Sequence, residues 1–483
     1  MNDVAFPAAA GFGHAVVIGS GMAGLLAARV LADHFERVTL IERDVIPEGP
    51  VERKGVPQAR HAHLLLAQGY RLLEQLFPGL DAELEAAGAP TVAWPADCAL
   101  YGKYGWWPRH FTEVVTRACS RTLLEWVIRC RVLANERVEL LEGSAVTGLV
   151  ADAVGTGVAG VRMRRRAVER GDPEEVLAAD LVVDASGRSS RAPEWLEALG
   201  YDPPEETVID AFMGYASRWY RCPPGFQDDW KVLVLPGEPP QLPRAGGLYE
   251  VEGNRWVVTV SGIAGEAPPT DERDFLEWVR TLVRPDIYEA IREAEPLTPV
   301  YGYQRTANRL RHYERLARWP ERFVILGEAA YAFNPAYGQG MTVSVVGAMA
   351  LDKCLREQRR RGPRDAFRGM ARAFQRRLAK VNDTPWRIAT GQDLRWPTTE
   401  GGELNWLERL THHYMEQVVP LAMVDPSISR TFWEVAHLIR PPASLFHPRI
   451  VGRILARQLN PRQLARRILS LRSLAAPASH HEC

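Results

Sequence analysis

Short, unbroken apolar runs recur along this chain, and two of them pass directly into helical spacing. Ala15-Val16-Val17-Ile18 has the pattern of a parallel strand buried on both faces. Leu25, Leu26, Ala28, Val30 and Leu31 then recur at helical spacing, and Val38 to Ile41 predicts a second strand. Leu181-Val182-Val183 is another such run. Phe323 to Leu326 reads as a buried strand, and Thr342 to Leu355 as a helix of small and apolar residues. This order of elements predicts strand–turn–helix units on a parallel sheet.

Between these units the periodicity changes. Val138 to Leu141, Ala145 to Val150 and Val158 to Met163 alternate in short runs, which predicts a small antiparallel meander. Residues 98 to 110, CALYGKYGWWPRH, read as a loop, and 112 to 133 as a helix carrying Arg121. Residues 207 to 262 read as antiparallel sheet, with a hairpin turn at Glu252-Gly253-Asn254. Asp271 to Leu282 predicts a helix with an acidic first turn. The chain beyond 361 is helical in pattern, with proline-marked breaks at Pro385, Pro397 and Pro441-Pro442.

The expected fold class is α/β (α+β). A Rossmann-like nucleotide domain takes residues 1–206 and returns in 321–360; an antiparallel-sheet substrate domain is inserted as 207–320; residues 361–483 form a C-terminal helical region.

The turns between the runs carry the chemistry. Gly19-Ser20-Gly21-Met22-Ala23-Gly24 is a G-x-G-x-x-G placed between strand and helix, and the second strand ends in Glu42. The glycines allow a tight turn, close approach to a pyrophosphate and close helix packing. The helix N-terminus offers free N–H groups to that anion, and Glu42 suits a ribose hydroxyl. These residues point to a dinucleotide with an adenosine end, without choosing which. Asp184-Ala185-Ser186-Gly187 and Gly327-Glu328 form further turns at strand ends, where ligands of open α/β sheets sit.

Composition narrows the classes. Lys+Arg and Asp+Glu both number 59, so no net field points to nucleic acid. The six cysteines form no C-x-x-C pair, which suggests neither a zinc site nor a disulfide framework. His61 and His63 lack a third ligand nearby and read as hydrogen-bonded histidines near a helix start. The N-terminus has no export signal and no run is long enough to span a bilayer, so a cytoplasmic protein is expected.

The G-x-G-x-x-G ending in Glu42, the middle turn DASGRSSR, and the late GEAAY with AFNPAYGQGM together resemble the FAD-dependent monooxygenases of the p-hydroxybenzoate hydroxylase fold. With RKGVPQARHAHLL and EPLTPVYG, the likeness is nearest to the bacterial polyether and polyketide epoxidases of the monensin and lasalocid type, and extends to squalene-epoxidase-like enzymes. The resemblance implies an extended FAD. Gly19, Gly21, Gly24 and Arg121 would face its pyrophosphate, Glu42 the adenosine ribose, Glu328 the ribityl chain, and Pro335, Gly338, Gly340 and Met341 the isoalloxazine. Met22, Ala23, Arg43, Lys54, Val146, Asp184, Gly187 and Gly327 complete the expected cofactor-lining set. The chain departs from the family pattern at Glu328, where Asp is usual, at Tyr331, where His is frequent, and at Ala185 in place of the usual Asp-Gly glycine.

The implied function is insertion of one oxygen atom of O2 into a lipophilic alkene or aromatic through a flavin C4a-hydroperoxide, by epoxidation or hydroxylation in natural-product biosynthesis. The alternative is a flavin-dependent reductase or dehydrogenase of a prenyl-like substrate. Reduced flavin is expected from a partner flavin reductase, with NAD(P)H used directly as the other route. No catalytic acid or base is assigned. A flavin halogenase is less favoured because no W-x-W-x-I-P stretch occurs. Trp106-Trp107 and residues 207 to 262 are candidate pocket lining. The tail HPRIVGRILARQLNPRQLARRILSLR carries seven arginines and no acid; it reads as a helix packed on its own body, with peripheral membrane contact as the alternative.

Overall fold

The run after His14 becomes β1 (Phe12–Ile18), the middle strand of a five-stranded sheet. The computed structural model describes residues 12–165, 174–226, 228–361 and 367–458. The other strands are β2 (Phe35–Ile41), β3 (Val138–Leu141), β4 (Leu181–Asp184) and β5 (Phe323–Ile325), in the order β5-β4-β1-β2-β3. Every pairing is parallel, and Ile325, Asp184, Ile18, Ile41 and Leu141 form one row across the sheet. That row is the C-terminal edge. The chain leaves β1 for β2 and β3 on one side, then crosses to β4 and β5 on the other, so the switch point lies at the end of β1.

Val138–Leu141 is a correction to the expected meander. It pairs in parallel with β2, while the antiparallel meander is made by Ser144–Ala151, Val158–Arg165 and Glu175–Ala178. A four-residue run fits either sheet, and tertiary pairing decides between them.

Four helices shape the cofactor side: α1 (Met22–Leu31), α2 (Arg121–Leu133), α3 (Gly340–Arg361) and α4 (Met370–Asp393). α1 packs against both α2 and α3. Its Leu25, Leu26, Ala27, Ala28 and Leu31 are fully buried, each leucine contributing about 1.5–3 kcal/mol by burial. α4 runs through Pro385 without the expected break. Phe374, Leu378 and Ala389 bury the helix on both sides of the proline, and that packing outweighs the lost backbone hydrogen bond.

A seven-stranded sheet forms the second layer. Its order is Tyr301–Tyr303, Gly214–Arg221, Arg255–Gly262, Arg244–Val251, Val232–Leu235, Cys98–Gly102 and Gly105–Trp106. The stretch read as a loop at 98–110 thus supplies two strands, because Cys98 to Leu100 pairs in parallel with Val232 to Val234. The expected hairpin is present, with Gly253 and Asn254 at positive φ in its turn. Alternation divides the faces. Ala216, Tyr220, Trp256, Val258 and Val260 join a core with Phe275 and Val279 of the helix Glu272–Arg280, which Asp271 caps. Ser217, Trp219 and Thr259 point the other way, toward residues 60–62.

The compact unit holding both layers extends to Leu404, so α4 belongs to it; a second unit begins at Asn405. That unit contains helices Trp406–Ala422, Pro426–Ala436 and Pro448–Gln458, the first with a capping box between Asn405 and Glu408. In the last helix Ile450 and Ile454 are buried, and Arg453 pairs with Asp425. Arg462, Arg466, Arg467 and Arg472 lie outside the described residues. No helix among the described residues is long and apolar enough to cross a membrane.

Candidate cofactor and substrate site

The site grows from the C-terminal row of the parallel sheet. Gly19 leaves β1 at φ +94°, and a Cβ there would sit 2.9 Å from the Ala185 carbonyl oxygen, so only glycine fits between the ends of β1 and β4. Gly24 packs still closer, its hypothetical Cβ 1.8 Å from the Gly19 carbonyl. Gly21 differs: a Cβ there would meet nothing within 4 Å, and no side chain caps α1. Uncapped amides facing open space are what a phosphate requires. Met22 and Ala23 open α1, with Met22 buried.

Glu42 is committed to this turn. Its carboxylate accepts from Ser20 N at 2.9 Å, Ser20 Oγ at 2.7 Å and Asp44 N at 3.0 Å, and it pairs with Arg53 at 3.1 Å. Burial pushes its pKa up, but Arg53 and the amides outweigh burial and the net shift is downward. Arg53 also donates to Ser20 O and to Glu125, whose other oxygen accepts from Arg121 at 3.0–3.1 Å. The result is a buried chain of alternating charge, Glu42–Arg53–Glu125–Arg121, behind the N-terminus of α1. Arg121 opens α2, which Ser120 caps. Arg43 and Lys54 are exposed. Val146 lies in the meander, at a register irregularity against Met163.

Across the switch point, Asp184 is fully buried and accepts from Ser186 N, Ser186 Oγ and Ser190 Oγ. It shapes the turn that puts Gly187 at φ +78°. Arg188 then reaches over to donate to the carbonyls of Ala307 at 2.8 Å and Phe333 at 2.6 Å, and stands 3.8 Å from Glu328. Gly327 has φ +69°, with its hypothetical Cβ 2.6 Å from that of Ala23, so β5 and α1 touch there. Glu328, about a third exposed, approaches Gly340 at the start of α3. Gly338 is left-handed after the turn Pro335–Tyr337, and α3 begins at Gly340, with Met341 buried behind it. The Oε1 of Gln339, a residue only 3% exposed, has no protein partner.

The structure therefore brings Gly19–Gly24, Gly187, Gly327-Glu328 and Pro335–Met341 to one edge. These residues fit a dinucleotide: two helix N-termini, open space before Gly21, and a buried amide oxygen without a protein partner at Gln339.

The second layer supplies a wall: Tyr215, Ser217 and Trp219 come from the stretch 207–262 expected to line a pocket, whereas His61 and Tyr303 were not expected there. His61 is buried, with Nδ1 2.9 Å from Ser217 Oγ and its ring edge-on to Tyr215 at 4.7 Å. Tyr215 stacks on Tyr303 at 5.2 Å, and Gln58 Nε2 donates to the Tyr303 hydroxyl at 3.3 Å. Both tyrosines lie close enough to Arg188 and Glu328 to feel their charges. Burial, with Arg60 adding, pushes the His61 imidazole down to about 4, so it is neutral at physiological pH. Burial, with Arg121 adding, takes His63 down to about 3. The side-chain alternation of Tyr215, Ser217 and Trp219 put them on one face, but the segment that face meets is far away in the chain. Trp106 ends the strand at the edge of the seven-stranded sheet opposite to Tyr301–Tyr303, and Trp107 beside it is buried.

A family model described as FAD binding domain matches residues 14–368. Protein Rv3254 of Mycobacterium tuberculosis is 33% identical over 465 residues, covering 92% of this chain and 94% of that protein. Squalene monooxygenase of Mus musculus is 25% identical over 349 residues, covering 68% of this chain and 52% of that enzyme. Among solved structures, PqsL of Pseudomonas aeruginosa in complex with 2-aminobenzoylacetate matches with a TM-score of 0.57 at 19% identity, over 79% of this chain and 97% of its own. The fold is also that of flavin-dependent halogenases such as the myxobacterial CndH.

Proposed function

The chain belongs to the FAD-binding domain family of flavin-dependent monooxygenases, and from that premise we propose that it transfers one oxygen atom of O2 to a lipophilic alkene or aromatic substrate. The observation that carries this reading is the wall of Tyr215, Tyr303 and neutral His61, set against Arg188 and Glu328 at the cofactor edge. Reduced FAD supplies the oxygen-activating chemistry when bound.

The protein's own residues hold, orient and exclude. The α1 N-terminus at Gly21 takes the pyrophosphate. Glu328 and Arg188 border the middle of the cofactor. The α3 N-terminus and Gln339 face the ring system, where the positive end of the helix stabilises developing negative charge. The Tyr215–Tyr303 stack offers an aromatic surface with two hydroxyls, and Ser217, bonded at Nδ1, fixes the neutral His61 ring against it. Trp219, whose Nε1 donates to Arg60 O at 2.8 Å, closes the wall against water. Epoxidation of an alkene and hydroxylation of an aromatic both fit such a wall.

Electrons are proposed to come from a partner flavin reductase. The test is incubation with labelled dioxygen, a reductase system and a panel of polyprenyl, polyketide and phenolic substrates, read by mass spectrometry. One labelled oxygen atom in a product supports the reading. A product that is reduced or desaturated without label would move the assignment to a reductase or dehydrogenase, and one that requires halide to a halogenase. Full turnover with NADPH alone would remove the reductase from the scheme. Tyr215→Phe and Tyr303→Phe are expected to raise KM several-fold with a smaller change in kcat.

A further inference from the structure

Asp393 is the last residue of α4 and lies outside the segment that the family model matches. It is completely buried. Its carboxylate gathers donors from two distant parts of the chain. Asn308 Nδ2 donates at 2.5 Å, Asn334 Nδ2 lies 3.2 Å from both oxygens, and the Tyr337 hydroxyl donates at 2.5 Å. Asn308 belongs to the strand Asn308–Arg311, and its Oδ1 accepts from the Asn334 backbone at 2.8 Å. Asn334 Oδ1 in turn accepts from Ala336 N. Asn334 and Tyr337 thus open and close the turn Pro335–Tyr337 while bonded to the same carboxylate, and Gly338, Gln339 and α3 follow immediately. No lysine or arginine is bonded to this carboxylate among the described residues; three neutral donors hold it. Burial pushes its pKa up against those donors.

Three donors converge here, so an apolar side chain would leave them unsatisfied and an amide would offer one acceptor oxygen where the carboxylate offers two. A carboxylate here fixes the turn and also places negative charge behind it. We propose that Asp393 is a positioning residue for the flavin, setting both the placement of the Asn334–Met341 turn and the electrostatic field at the isoalloxazine. The inference rests on the proposed reading in which this turn faces the ring system. Asp210 adds to the negative field at Asp393, whereas Arg395 opposes it from the Tyr337 side.

The experiment uses the full chain loaded with FAD, with the visible absorption spectrum and the flavin reduction potential as readouts. Asp393→Asn keeps the side-chain shape and removes the charge. It is expected to shift the flavin absorption bands and to move the potential to a more positive value, because reduced flavin no longer forms beside a buried negative charge. Tyr337→Phe removes a single hydroxyl and should shift the spectrum in a protein that still folds, which keeps the test open if Asp393→Asn does not fold. Gln339→Ala separates the two levels of the argument, since it alters the turn without touching Asp393. If Gln339→Ala leaves the spectrum unmoved, the ring system is not at this turn, and the reading and the inference fall together. If Gln339→Ala shifts the spectrum but Asp393→Asn and Tyr337→Phe leave spectrum and potential at wild-type values, the reading stands and the role of Asp393 is overturned.

Discussion

At the scale of single residues, buried charge governs the adenosine side of the site. The Arg53 side chain is 6% exposed and touches the Glu42 and Glu125 side chains, each 7% exposed. Removing one member leaves its partners charged and unpaired, so Arg53→Ala is expected to cost about 3–5 kcal/mol in chemical denaturation. Glu42 has a folded pKa below its unfolded value. Its stabilisation is therefore complete above the unfolded carboxylate pKa and is lost as pH falls through the folded one. Glu42→Gln should be less stable at neutral pH and should lose stability less steeply on acidification below about pH 4.5. His61 also has a lowered folded pKa, about 4 against the ordinary 6.5 of a histidine, because burial disfavours its charged form. The unfolded chain takes up that proton first, so stability is full above pH 6.5 and falls as pH drops toward 4, by up to about 1.4 kcal/mol per pH unit for such a group. Urea denaturation of His61→Gln across this window should show a shallower slope than the wild type.

Elements meet at the cofactor edge through contacts that tolerate no added atom. Gly327 combines φ +69° with a 2.6 Å approach to Ala23, joining the turn after β5 to the first residues of α1. Gly327→Ala should cost about 1–3 kcal/mol from backbone strain alone. It should also weaken FAD binding measured by flavin fluorescence, because α1 must retreat from the turn. A substitution at Gly21 is the contrast. Its Cβ meets no protein atom, so Gly21→Ala is expected to leave the thermal transition of the cofactor-free protein nearly unchanged while weakening FAD binding. Equal losses in both measurements would remove Gly21 from the anion site. At the head of α2, Ser120 Oγ accepts from Leu123 N at 3.1 Å, and Ser120→Ala should cost about 1 kcal/mol.

Over the whole molecule, residues 57–62 lie between α2 of the cofactor side and the seven-stranded sheet. This segment bonds outward to Tyr303, Ser217, Thr259 and Trp219. Its histidines were legible in the sequence, but its partners were not, because they lie more than a hundred residues later. The cofactor half was readable from the chain because each of its parts is local. A glycine turn, the helix after it and the acid at the end of the next strand are set by backbone geometry within about thirty residues. What local pattern left open was pairing. Val138–Leu141 could join either of two sheets, Cys98 to Trp106 showed no strand period, and Pro385 read as a break until burial on both sides overrode it.

The sequence by itself thus determined four of the five parallel strands and the glycine turns of the cofactor edge, because these depend on steric and periodic rules acting between near neighbours, and the resemblance of those turns pointed to the family. Only the tertiary structure decided which side chains complete the site. Arg53 between Glu42 and Glu125, the Tyr215–Tyr303–His61 wall, and Asp393 beneath the Asn334–Tyr337 turn each join residues far apart in the chain. Such contacts are selected by burial and hydrogen-bond satisfaction once the layers have closed, and no periodicity along the chain records them.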